Sequence, residues 1–289
     1  MRVLRPFDPW RSELCTCPTK YSLHPYTGCT HSCLYCYATS YIGRRRSSPK
    51  AGFLRMLSRD LLEADPRIPV ELSTSSDPYP PEELSLGITR ASLSLLKWRG
   101  FRVLITTKGA AFPLDEGLYD AVMVTLTTLD RDLSLKLEPL APSPSRRIDS
   151  LARVSVRRGV RVDPIIPGLN DDIDEIRTLL REVRDSGAEH VTFSTYKARP
   201  DSLKRLINMF PEISSKLKYL YNREGSSFRG YRYLRAGLRH EILSKAVEEA
   251  LRLGMSASVC REGFPDLMRS LSCDGTHLLA QAPRHRGSP

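Results

Sequence analysis

The chain has 289 residues, 40% of them hydrophobic, enough for one large domain with an appendage and for a sizeable core. Its 44 Lys and Arg against 33 Asp and Glu leave a formal net charge of +11, a balance that favours polyanionic partners such as nucleic acid. No run approaches the roughly 18 apolar residues that a membrane span needs, and the mixed, charged opening MRVLRPFDPWRSELC is no secretory signal. A cytoplasmic protein with no membrane partner is expected.

In chain order, an N-terminal segment (1–24) carries Cys15 and Cys17 in the turn-like setting CTCP. A strand is expected next, ending before CTHSCLYCYA, which puts Cys29, Cys33 and Cys36 within eight positions and is followed by the basic run RRRSSPK. Strands are then expected at 69–73, 101–107, 121–127, 160–166 and 190–195, where short β-branched runs occur. Amphipathic stretches at 84–99, 145–158 and 172–185, each closed by or near a glycine, read as helices. About six β–α units result, and such alternation predicts a parallel sheet with helices outside it. A complete eight-unit barrel takes about 250 residues, so the expected fold is α/β: a partial (βα)6 TIM-like barrel over 25–200. A helical, cysteine-containing extension follows over 201–280, and a disordered tail over 281–289.

The seven cysteines are an odd number, and none lies between Cys36 and Cys260. In a reducing compartment such residues bind metal or take part in catalysis more often than they pair. Cys29, Cys33 and Cys36 follow a C-x3-C-x2-C spacing on the loop after the first strand, at the sheet edge where active sites gather. Three soft thiolates on one loop can hold three irons of a [4Fe–4S] cluster and leave the fourth open. The alternative is a zinc site completed by His24 or His31.

This spacing, with Tyr35 before the last cysteine, resembles the radical S-adenosylmethionine (SAM) superfamily. Within it, YSLHPYTGCTHSCLYCYA, SSDPYPPEE, LEPLAPSPSRR and PIIPGLND are similar to the spore photoproduct lyase-like branch, over roughly residues 13 to 200. The resemblance implies that SAM chelates the open iron and is cleaved by the reduced cluster to methionine and a 5′-deoxyadenosyl radical. An electron donor such as a ferredoxin or flavodoxin is implied with it. By the same resemblance, Ser75 and Asp77 stand where the family contacts the SAM amino group. Lys108, at the end of the third strand, approaches the SAM carboxylate unless it is an ordinary solvated loop lysine. Thr125 and Thr127 stand at the edge of the fourth strand. Ile166, Pro167, Gly168 and Asn170 fall in the segment that packs beside the adenine, or simply form barrel core and a turn. Glu138 and Arg146 either line the site or pair with each other. The lyase reaction is associated with a free cysteine that returns a hydrogen atom. The gap from 36 to 260 leaves that role to a terminal cysteine or a tyrosine, so thymine-dimer repair is not carried over.

Cys15, Cys17, Cys260 and Cys273 lie in polar, turn-rich settings. A barrel-like fold can bring its termini together, so these four are expected to hold an auxiliary [4Fe–4S] cluster or zinc, with unrelated reduced thiols as the plain reading. Between Lys204 and Lys245, ten Lys or Arg against three Glu alternate with aromatics. Lys218, Tyr219, Tyr221, Arg223, Arg229, Tyr231, Arg232 and Tyr233 are therefore candidates for phosphate contact and base stacking, against the plainer reading of solvated basic faces and buried tyrosines. Three functions follow in order: a radical SAM enzyme acting on nucleic acid, one acting on a peptide or small molecule, and a non-enzymatic iron–sulfur or zinc protein.

Overall fold

The computed structural model describes residues 2–7, 13–73 and 75–280; the expected tail at 281–289 lies outside them. Seven strands, Tyr21–Leu23, Val70–Leu72, Val103–Thr107, Ala121–Thr125, Arg157–Ile165, His190–Thr195 and Ser256–Val259, form one sheet in sequence order. Every pairing between successive members is parallel, from Leu23 opposite Leu72 to Ser256 opposite His190. Arg5–Pro6 adds an antiparallel edge beside Tyr21–Leu23. The first and seventh strands do not pair, so this is a partial, open barrel of the TIM-like kind.

Period-two alternation sorts the strand residues between two faces. Val103, Ile105, Val122, Val124, Val160, Val162 and Val191 pack in the main core beneath the helices, whereas Leu104, Ala121 and Met123 face inward and meet Leu278 and Leu279 of the C-terminal segment. Helix Ile173–Asp185 shows why the outer layer forms. Asp172 caps it by accepting from the amides of Asp174 (2.8 Å) and Glu175 (3.1 Å), and Ile176, Leu179, Leu180 and Val183 make its buried stripe. Each such side chain contributes roughly 1.5–3 kcal/mol when removed from water.

Two sequence expectations are corrected. The helix expected over 145–158 stops at Ala152, and Arg157 already pairs with Ala121, so Gly159 lies inside a strand and does not end a helix. Beyond residue 200 the chain is not simply helical. Helices Pro200–Met209 and Ser214–Lys218 lead to a hairpin, Ser226–Phe228 with Tyr231–Tyr233, whose turn places Arg229 (φ 47°) and Gly230 (φ 78°) in the left-handed region. Helix Ala236–Arg252 then packs on the sheet through Leu243, Ala246, Val247 and Ala250, and delivers the seventh strand, one more than the six expected. Among the described residues, no helix is long and apolar enough to cross a membrane.

Candidate active site

The loop after the first strand is held in a tight turn. Gly28 takes φ 73°, and a Cβ there would lie 2.4 Å from the Arg46 carbonyl, so only glycine fits where the Cys29 amide meets the Arg45 carbonyl (3.0 Å). The rest of the loop is pinned by Arg205, which donates to the carbonyls of Leu34 (2.9 Å) and Cys36 (3.1 Å), and by the Leu34 amide on the Leu137 carbonyl (2.9 Å). Cys29, Cys33 and Cys36 thereby line one cavity of about 710 Å³. Burial pushes the Cys29 thiol up to about 11, with Asp77 adding to it and the amides of Asp77 and His31 opposing. Burial also raises Cys33, against the pull of Lys108. His31 is buried beside them, its Nδ1 3.4 Å from the Asp77 carboxylate, and its Nε2 has no hydrogen-bond partner among the described residues.

Asp77 lines the cavity but is heavily engaged. Its carboxylate accepts from Thr107 Oγ1 (2.6 Å) and the amides of Lys108 (2.7 Å) and Tyr79 (2.9 Å), tying the loop after the second strand to the end of the third. Burial pushes this carboxyl up, but His31 and these donors hold it well below the usual range. Lys108 lines the cavity with its ammonium 5.6 Å from the centre of the Tyr35 ring, and the Tyr35 hydroxyl donates to Glu138. The partner of Glu138 is Arg147, not the expected Arg146, which is exposed. Arg147 is fully buried and also donates to the carbonyls of Pro142 (2.7 Å) and Thr125 (2.9 Å). Burial raises the Glu138 carboxyl, and Arg147 and Lys108 together bring it below its ordinary value.

Ser75 and Thr125 line the cavity, with Ser75 Oγ 3.5 Å from His24 Nδ1. Thr127, Ile166, Pro167, Gly168 and Asn170 do not line it. Thr127 donates to Glu138 (3.3 Å), and Ile166 and Pro167 are core. The Asn170 amide group is consumed by structural bonds: within its own turn it accepts from the Ile166 amide (2.7 Å) and donates to the Pro164 carbonyl (3.1 Å), and it reaches across to donate to the Thr127 carbonyl (2.7 Å).

The terminal cysteines meet from opposite ends of the chain. Cys17 Sγ lies 3.6 Å from Cys273 Sγ, and Cys15, Cys17 and Cys260 line the same cavity as the triplet. The hydrogen bond from Cys17, helped by Arg261 and Lys20, lowers Cys15 to about 6. Burial raises Cys260 to about 11 against Arg161 and Lys197. Below them Lys20 is buried between Glu71 and Asp274. Among the described residues, no three His, Cys, Asp or Glu side chains converge closely enough to hold a single metal ion. His31 Nδ1 faces Asp77 and His24 Nδ1 faces Ser75.

No protein-family profile matches the chain. An uncharacterised protein of Mycobacterium bovis is 26% identical over 232 residues, covering 71% of this chain and 68% of the relative. An uncharacterised protein of Methanocaldococcus jannaschii is 27% identical over 164 residues, or 53% and 62% of the two chains. A variant of spore photoproduct lyase superposes with a TM-score of 0.63 at 15% identity, over 83% of this chain and 75% of the other. The same enzyme complexed with dinucleoside spore photoproduct gives 0.61 at 16%, over the same shares. The fold is that of spore photoproduct lyase.

On this spore photoproduct lyase-like frame the basic and aromatic region differs from expectation. Tyr221, Tyr231 and Tyr233 are buried, so their faces are closed to base stacking. The Tyr221 hydroxyl donates to the Tyr196 carbonyl (2.9 Å), Arg199 and Arg261 lie over Tyr231 (4.9 and 4.8 Å), and Arg239 lies over Tyr233 (5.4 Å). Lys218, Tyr219, Arg223 and Arg229 are exposed, and Arg232 is half-buried. Sequence reasoning missed Arg147, Arg205, Lys197 and Glu262. The last two form a buried pair (2.8 Å) that Arg239 also joins (2.8 Å), and Lys197 lines the cavity. For Arg147 a signal existed: Ser143 caps helix Pro144–Ala152, and the helical period buries Pro144, Arg147, Ser150 and Leu151 while leaving Arg146 outside.

Proposed function

We propose that this protein is a radical SAM enzyme of the cytoplasm, holding a [4Fe–4S] cluster on Cys29, Cys33 and Cys36 and acting on nucleic acid. The observation that carries the reading is that these three thiols, from the loop after the first parallel strand, line one cavity of about 710 Å³ together with Ser75, Asp77 and Lys108. Two features fit a cationic centre. Burial keeps the Cys29 and Cys33 thiols from ionising unaided, and the buried His31 Nε2 awaits a partner. A cluster asks for one thiolate per iron, not convergence on one ion, which favours it over zinc at the triplet. When bound, the cluster supplies the electron, drawn from a ferredoxin or flavodoxin, that cleaves SAM reductively.

The chain's own residues bind and position. Burial opposes the charge on Lys108, but Cys33 in its ionised, metal-bound form and Glu138 raise its pKa, which suits a carboxylate ligand. Asp77 is the strut that fixes the Ser75 loop, leaving the Ser75 hydroxyl to accept from the SAM amino group. Cys15, Cys17, Cys260 and Cys273 are assigned to an auxiliary [4Fe–4S] cluster, with zinc as the alternative; the first three border the same cavity, and Cys273 meets Cys17. The net charge of +11 and the exposed Lys218, Arg223 and Arg229 support a nucleic-acid substrate. A peptide or small-molecule substrate is the second reading, favoured by the burial of Tyr221, Tyr231 and Tyr233. The test is 5′-deoxyadenosine formation by the anaerobically reconstituted protein with dithionite and SAM. The wild type should form it and Cys33→Ala should not; equal formation by both sinks the assignment.

A further inference from the structure

Most charged side chains that line the cavity are matched. Lys20 sits between Glu71 and Asp274, Asp77 faces His31, Arg161 pairs with Asp163 (2.8 Å), and Lys197 pairs with Glu262. One end differs. Arg5, on the antiparallel edge strand, and Lys50, directly after the short strand Ser48–Pro49, both line the cavity, and neither has a carboxylate partner among the described residues. His24, directly after the first strand, also lines this end, with Ser75 Oγ 3.5 Å from its Nδ1, and Ser22, also lining the cavity, donates to the Arg5 carbonyl (3.5 Å). Burial lowers His24 to about 4, with Lys50 and then Arg5 adding to it, and Lys50 is lowered by burial and by Arg5. The exposed Arg5 and half-buried Lys50 are thus two like charges on one rim of the cavity, an arrangement that an anion stabilises.

We propose that Arg5, Lys50 and His24 form a phosphate subsite at the open edge of the barrel, which takes a phosphodiester of the strand whose nucleotide enters the cavity. The assignment rests on the nucleic-acid reading above and adds where the backbone is held. Arg5 offers a planar fork to two phosphate oxygens, Lys50 a point charge, and neutral His24 an N–H. Because the subsite borders the cavity that holds the cysteine triplet, it fixes the register of the strand against the reacting centre.

The experiment measures binding of a fluorescein-labelled single-stranded DNA oligonucleotide by anisotropy across a salt series, using the full chain. The wild type, Arg5→Gln/Lys50→Gln and a control, Arg181→Gln, exposed on helix Ile173–Asp185, are compared. Each lost phosphate contact should flatten the slope of log K against log salt by about 0.7, so the double variant should lose about 1.4 and bind roughly tenfold more weakly at low salt. Arg181→Gln should leave both quantities near wild type. Equal slopes in all three proteins, an equal loss in Arg181→Gln, or no binding by the wild type would overturn the subsite. So would a parallel loss of SAM affinity by calorimetry, which would place these residues on the cofactor. Displacement of the oligonucleotide by equimolar adenosine monophosphate would assign the subsite to a free phosphomonoester and overturn the phosphodiester proposal. Absence of 5′-deoxyadenosine in the wild type would sink the radical SAM reading while leaving these binding data intact, so the two failures are distinguishable.

Discussion

Replacing Arg147 with methionine tests how the cluster loop is supported. The guanidinium is fully buried, pairs with Glu138 and donates to Pro142 and Thr125 carbonyls at 2.7 and 2.9 Å. Methionine fills much of the volume but leaves the Glu138 carboxylate with Tyr35, Thr127 and the nearby Lys108 as its remaining company. Breaking a buried pair from one side costs about 3–5 kcal/mol, a large part of the ~5–15 kcal/mol that stabilises a typical domain. Urea unfolding followed by circular dichroism should show a lower midpoint with little change in slope. The double variant Arg147→Met/Glu138→Leu should recover most of the loss, because it removes the stranded charge. A loss under about 1 kcal/mol in Arg147→Met, or no recovery in the double variant, would refute the reasoning. Because Tyr35 and the Leu34 amide attach the cysteine loop to Glu138 and Leu137, the single variant should also incorporate less iron at the triplet.

Three further outcomes are expected. Cys260→Ala should lower iron content after reconstitution while leaving SAM affinity largely intact; an unchanged iron count would remove the auxiliary-cluster assignment. Asn170→Ala, which deletes three buried hydrogen bonds, should cost about 2–4 kcal/mol in the same urea assay, and a value near zero would contradict a structural role for this side chain. Burial raises Asp274, but Lys20 and Thr276 bring its carboxyl down to about 2, below the unfolded value of about 3.9. Its contribution is therefore complete above about pH 4 and lost as pH falls through about 2, so Lys20→Met should shift acid unfolding to higher pH, and an identical acid midpoint would count against the trio.

The parallel sheet was legible because buried β-branched runs and helix-ending glycines are local signals, as at Val103–Thr107 and Ile173–Asp185. The cysteine triplet was legible for the same reason, its spacing lying within one loop. Contacts set by distant segments were not: nothing near Glu262 announces that Lys197 and Arg239 will meet it, and nothing near Lys20 announces Glu71 and Asp274. Alternation of aromatic and basic residues over 218–233 signalled a hairpin more than a stacking surface, since period-two spacing sends Tyr231 and Tyr233 inward together. The juxtaposition of Cys17 with Cys273 was inferred from count and clustering, and the structure places their sulfurs 3.6 Å apart.

The most direct test of the central claim is iron and sulfide content after anaerobic reconstitution, for the wild type and for a variant with Cys29, Cys33 and Cys36 all replaced by alanine. The account predicts about eight irons and eight sulfides falling to about four of each, one [4Fe–4S] cluster lost and one kept. Equal iron in the two proteins would contradict a cluster at the triplet, and with it the radical SAM assignment.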